Sequence, residues 1–89
     1  MTVTNVRGSE QLAQTAELAP LHEYSFNAAN GEPEGCEFAA SHDEAARLWG
    51  HCLHNGDMRL LQVWGPGHDA RWFRIERTRD GVEARECAQ

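Results

Sequence analysis

The feature that most limits what this chain can fold into is a single well-marked helix between Ser41 and Gly56, flanked on both sides by segments with a strand pattern. Ser41-His42-Asp43-Glu44 has the form of a capping box, in which a serine and a glutamate three residues on satisfy each other's backbone N–H groups. Ala45, Leu48, Trp49, Cys52 and Leu53 follow at the i, i+3, i+4, i+7, i+8 spacing that lines one buried stripe. Asn55-Gly56 supplies a left-handed stop. One helix covers one face of one small sheet, so the chain is expected to be α+β.

The flanking segments carry a period of two. His22, Tyr24, Phe26 and Ala28 point one way, and Glu23, Ser25 and Asn27 the other. Asn30-Gly31, extended by Glu32-Pro33-Glu34-Gly35, marks a turn, after which Cys36 and Phe38 share a face on a short second strand. Met58 to Trp64 is apolar enough on both faces to be a central strand, and Gly65-Pro66-Gly67-His68-Asp69 is a turn or short loop. From Arg71 to Thr78, Phe73 and Ile75 oppose Trp72, Arg74 and Glu76. Asp80-Gly81 then turns the chain into a polar edge strand over Val82 to Cys87. The expected order is β-β-α-β-β-β, about five strands in one antiparallel sheet with the helix on one face. Residues 20–89 form this domain. Residues 1–19 read as an N-terminal arm, at most marginally helical with Leu12, Ala13 and Ala16 on one side.

The 89 residues suffice for one modest core. No apolar run approaches the ~20 residues that cross a bilayer, and the first residues show no secretory pattern. Three widely spaced cysteines, Cys36, Cys52 and Cys87, do not form a disulfide framework. Cys52 is expected on the buried helix stripe, and a reducing, cytoplasmic location fits. Residues 1–56 carry eight acids against Arg7 and Arg47, whereas residues 57–89 carry six acids and six arginines, so the whole net charge of −6 belongs to the N-terminal half. Such a surplus keeps a domain soluble, and it also suits a basic partner. All eight basic residues are arginine, which excludes Schiff-base chemistry and a P-loop lysine.

Chemistry-bearing constellations are sparse. His51-Cys52-Leu53-His54, with His42 upstream, is the densest set of potential metal ligands. Cys52 belongs to the opposite side of the helix from the histidine pair, and no C-x-x-C accompanies them. The set reads as solvent-facing histidines near a helix C-terminus, where the dipole favours their protonated forms, and no metal or other cofactor is expected. Ser9, Ser25 and Ser41 lack a nucleophile-elbow context, and no phosphate loop is present, so no enzyme activity is expected. Arg71, Trp72, Arg74, Arg77 and Arg79, with Trp64 one strand away, mix guanidinium groups and indoles. That mixture suits bases and phosphates, but the acidic surplus opposes nucleic acid, and Trp and Arg also dominate protein interfaces.

The run Cys36-Glu37-Phe38-Ala39-Ala40-Ser41-His42-Asp43-Glu44-Ala45-Ala46-Arg47-Leu48-Trp49 resembles a pattern of small phage and mobile-element proteins. In these a short strand feeds a Ser/Asp-capped helix with an aromatic residue one turn on. Some type I anti-CRISPR proteins look like this. The resemblance implies a small acidic α+β protein without enzyme chemistry that binds a CRISPR surveillance complex at surfaces otherwise holding nucleic acid. It assigns no residue a role.

The expectation is therefore a non-enzymatic protein-binding inhibitor. Glu32, Glu34, Glu37, Asp43 and Glu44 would meet a protein partner with a basic surface, and Arg71, Trp72 and Arg74 would supply a second contact. Direct nucleic-acid and membrane binding are not expected. One alternative is a self-associating adaptor whose open sheet edge or Trp72 face makes a homodimer, and another is a metal module using His51, His54 and His42.

Overall fold

A computed structural model describes residues 20–88 of the chain, so the N-terminal arm expected over residues 1–19 lies outside the described residues. Five strands and one helix follow in the order β1 (His22–Ala28), β2 (Pro33–Ala39), α1 (His42–Gly50), β3 (Met58–Trp64), β4 (Ala70–Thr78) and β5 (Gly81–Cys87). A 3₁₀ turn over Pro66–His68 joins β3 to β4. The strands form one fully antiparallel sheet in the spatial order β2-β1-β3-β4-β5, with β3 at its centre and β2 and β5 at its edges. No described helix is long and apolar enough to cross a membrane.

Alternation decides which face is covered. Tyr24 and Phe26 of β1, Leu61 and Val63 of β3, and Phe73 and Ile75 of β4 point to one side and are buried under α1. Fully burying side chains of this size contributes about 1.5–3 kcal/mol each, so the six together dominate the core. The opposite face carries Cys36, Phe38, Ser25, Met58, Leu60, Gln62, Trp64, Trp72 and Arg74, and no described element covers it. Phe38, 61% exposed, is on that open face, and β2 gives the core only Ala39. The second strand is also longer than its two apolar residues suggest. It starts at Pro33, and a register shift opposite Phe26 and Asn27 takes up the extra residue as a bulge. The bulge turns the Glu34 carbonyl inward, where it accepts the Trp49 indole N–H at 2.8 Å.

The helix starts as the capping box requires. Ser41 Oγ accepts from the Glu44 N–H at 3.1 Å, and Glu44 Oε1 accepts from the Ala40 N–H at 2.8 Å, one residue before the expected donor. Its buried face differs from the expected stripe. His42, Ala45, Ala46, Trp49, Gly50 and Leu53 face the sheet, while Leu48 is 40% exposed and Cys52 lies at the surface. The reason is proximity. A Cβ on Gly50 would come within 2.5 Å of Val82 Cγ1 and 2.8 Å of Ile75 Cγ2, so the helix settles close to the sheet on small residues and turns its leucine outward.

The helix also ends earlier than Asn55-Gly56. From His51 the backbone bonds change to i→i−3, with His51 N–H to Leu48 O, Cys52 N–H to Trp49 O and Leu53 N–H to Gly50 O. Arg77 of β4 closes the end by donating from Nη1 to the His51 carbonyl at 3.0 Å and the Leu53 carbonyl at 3.3 Å. A guanidinium there satisfies carbonyls that have no helical partner and complements the helix dipole. Two substitutions separate this packing from the expected stripe. Gly50→Ala should lower the unfolding free energy in urea by about 1–3 kcal/mol through overpacking, and Leu48→Ala by less than about 1 kcal/mol. Arg77→Ala should cost about 1–2 kcal/mol through the lost cap, whereas the exposed Arg79→Ala should stay within about 0.5 kcal/mol of the parent.

Candidate functional site

At the N-terminal end of α1 the covered side of the sheet opens into a cleft of about 410 Å³ between the helix start, β1, the β3–β4 loop and β5. Tyr24, His42, Asp43, Asp69, Arg71 and Glu86 supply its chemistry. Tyr24 arrives from the buried side of β1, and His42 is the first residue after the cap, which directs it under the helix. Their rings meet edge to face with centroids 5.0 Å apart. Both lie against Gly65, where a Cβ would come within 2.7 Å of the Tyr24 ring and 2.9 Å of the His42 ring. Glycine at position 65 is what lets the loop pass beneath the two rings.

The loop is fastened by the Asp69 carbonyl, which accepts from the Gly65 N–H at 2.9 Å and from His42 Nε2 at 2.8 Å. His42 therefore donates from Nε2 and is a structural strut, only 8% exposed. Within the loop, Gly67 and His68 have φ of 73° and 61°. The His68 ring meets Trp64 edge to face at 6.4 Å on the other side.

Fixing the Asp69 backbone aims its side chain along the start of β4. Its two carboxylate oxygens accept from Arg71 Nε at 3.3 Å and Nη2 at 3.0 Å, a two-pronged pair, while Arg71 Nη1 lies 3.8 Å from Glu86 Oε1 on β5. The hydrogen bond from Arg71 holds the Asp69 carboxyl below its ordinary range, and Asp69 first, then Glu86 and Asp43, raise Arg71 in turn. Three carboxylates thus act on one guanidinium in an open cleft. The arrangement leaves a local excess of negative charge.

The residues expected to bind a partner do not form one surface. Asp43 and Arg71 share the cleft. Glu32 lies exposed at the tip of the β1–β2 turn, its N–H donating to Asn30 Oδ1 at 3.0 Å. Glu34 pairs with Arg59 at 3.5 Å, and that guanidinium sits 5.9 Å over the Trp49 ring. Glu37 is half-buried opposite Tyr24, and Glu44 is held in the capping box. Trp72 and Arg74 are on the open face, because adjacent strand residues point to opposite sides: Trp72 lies half-buried opposite Gln62 and Arg74 opposite Leu60. The Trp64 indole N–H donates to Gln62 Oε1 at 3.0 Å on the same face. Also there, the neighbouring Glu23 carboxylate pushes the Cys36 thiol up by hydrogen bonding to it.

The other potential ligands are dispersed. His51 and His54 are exposed, and among the described residues no three His, Cys, Asp or Glu side chains are grouped to hold a metal ion. Sequence reasoning missed Tyr24, Asp69 and Glu86 as site residues. Asp69-x-Arg71 does carry a signal, since residues two apart at a strand start lie on one side.

Gly65→Ala should displace Tyr24 and His42 and lower stability by about 1–3 kcal/mol in urea unfolding. A pH effect follows from Asp69. Its folded-state pKa lies below the unfolded value, so its contribution to stability is present above the ordinary aspartate range and is lost as pH falls through the lowered value. Acid unfolding of Asp69→Asn should lack that part of the parent's pH dependence.

Comparison of the chain with protein-family models, with curated proteins and with solved structures found no match, so the chemistry of the cleft and the open face is what speaks to function.

Proposed function

We propose that this chain is a non-enzymatic protein-binding module that takes a basic side chain of a partner protein into the cleft beside α1. The observation that carries the reading is that Asp43, Asp69 and Glu86 line one exposed cleft with the single guanidinium of Arg71, which is bonded to Asp69 and lies 3.8 Å from Glu86. An incoming arginine or lysine gains from this excess of carboxylate, and the Asp69 backbone held by His42 and Gly65 lowers the ordering cost of the contact. The groups that would otherwise suggest catalysis have structural partners. His42 Nε2 is bonded to the Asp69 carbonyl, and Ser41 Oγ accepts the helix N–H.

In its most specific form the module is an inhibitor of a nucleic-acid-handling complex, with its carboxylates standing where phosphates would bind. The net charge of −6 supports that form, as does the resemblance of the Cys36–Trp49 run to type I anti-CRISPR proteins. On this reading the acidic contact centres on Asp43 and Glu86, with Glu32 and Glu37 peripheral, because Glu34 and Glu44 already have partners within the fold.

The test compares capture from a native lysate by the parent and by Asp43→Asn/Glu86→Gln, two changes at exposed positions that keep the fold. A partner retained by the parent, released by salt and held at least about tenfold more weakly by the double variant supports the cleft. Equal retention by both proteins, or release insensitive to salt, overturns it.

A further inference from the structure

We infer that the free edge of β5 is self-pairing: a second copy's β5 adds to it antiparallel, in the register centred on Ala84. The two edges of the sheet differ. β2 carries Pro33 and a bulge, devices that blunt an edge against pairing. β5 runs in unbroken register along β4 from Thr78–Gly81 to Trp72–Cys87, and it contains no proline, lysine or bulge. Among the described residues, none pairs with its outer side.

The backbone fixes which residues are available. Arg77 uses both of its backbone groups on the β3 side, its N–H donating to Asp57 O at 3.0 Å and its carbonyl accepting from Gly56 N–H at 2.7 Å. Alternation then turns Trp72, Arg74, Glu76 and Thr78 toward β5, where they face Cys87, Arg85, Glu83 and Gly81. Val82, Ala84 and Glu86 are left with N–H and carbonyl groups directed outward. Centred on Ala84, an antiparallel second strand sets Ala84 against the partner's Ala84 and Val82 against the partner's Glu86, matching outward groups along the whole strand.

Charge selects this register over its neighbours. On the open face Arg74 stands directly across from Arg85, and Glu76 across from Glu83, two like-charged pairs. Among the described residues they are relieved along the strands, by Arg74–Glu76 at 3.3 Å and Arg85–Glu83 at 3.7 Å. Like charges directly opposite each other destabilise a sheet. In the Ala84-centred register Glu83 meets the partner's Arg85 and Arg85 meets the partner's Glu83, so each like-charged pair gains an opposite charge on its far side. A shift of two residues one way sets Glu83 against the partner's Glu83, and a shift the other way sets Arg85 against the partner's Arg85. Only the central register is complementary.

Sedimentation equilibrium from micromolar to millimolar concentration should show a reversible dimer. Ala84→Pro blocks the outward N–H without removing a bond to β4 and should sediment as a monomer with an unchanged circular dichroism spectrum. Glu83→Arg and Arg85→Glu should each weaken dimerisation about tenfold or more. The double swap should restore it, and the two single variants mixed should form a heterodimer detectable by native mass spectrometry. A parent that stays monomeric throughout, a dimer that folded Ala84→Pro leaves intact, or single variants that do not complement each other would overturn the proposal. Capture of a basic partner at the cleft is read separately, so either result leaves the other standing.

Discussion

The close seat of α1 on the sheet is the contact on which the rest of this structure depends. Ala45, Ala46 and Gly50 bring the helix axis near the strands, and Gly50 leaves no room for even a methyl group against Val82 and Ile75. A helix held that close cannot also insert its leucine, so it rotates until Trp49 fills the space toward β1 and β2 and His42 swings under its N-terminus. Trp49 stacks on Phe26 at 5.8 Å and passes its N–H to the bulge at Glu34. His42 in turn pins the loop that aims Asp69, and Asp69 aims Arg71. The cleft is thus a consequence of how near the helix lies, reached through one histidine.

Much of the fold was legible in the sequence because period-two alternation reports burial directly. Tyr24 and Phe26, and Phe73 and Ile75, read correctly as inward, and Trp72 and Arg74 as outward. The polar character of Val82–Cys87 marked an edge, and the two-sided apolar run at Met58–Trp64 marked the centre. The helix stripe was misread for a definable reason. Two overlapping stripes fit the same residues, one through Leu48 and Cys52 and one through Ala46 and Gly50. Hydrophobicity ranks the first higher, whereas the distance between layers selects the second, and that distance is a property of the packed pair. Cys36 and Phe38 do share a face as their spacing predicts, but two apolar residues on an edge strand do not say which face is covered, and theirs is the open one.

The cleft was less legible because its parts are distant in sequence. His42 and Asp69 are separated by 27 positions and joined through a backbone carbonyl, which no side-chain pattern encodes. Arg77 likewise reads as one more arginine of a polar hairpin until β4 is seen to end beside the helix C-terminus. Acid count alone overstated the N-terminal hairpin. Glu34 and Glu44 contribute formal charge but are committed to Arg59 and to the cap, and Asp69 is likewise held by Arg71, so the carboxylates without a close partner are fewer than the net charge implies.

Glu86 links the two surfaces. It lines the cleft on the helix side, and its backbone faces outward along the β5 edge. Pairing two β5 strands about an axis normal to the sheet would keep both helices on one side and set the two clefts on either side of the shared seam. A partner presenting two basic side chains at that spacing would then engage both clefts at once, the second binding step being intramolecular. Modest attraction at each exposed carboxylate cluster would be multiplied by geometry, a route to tight binding that does not depend on a large buried area.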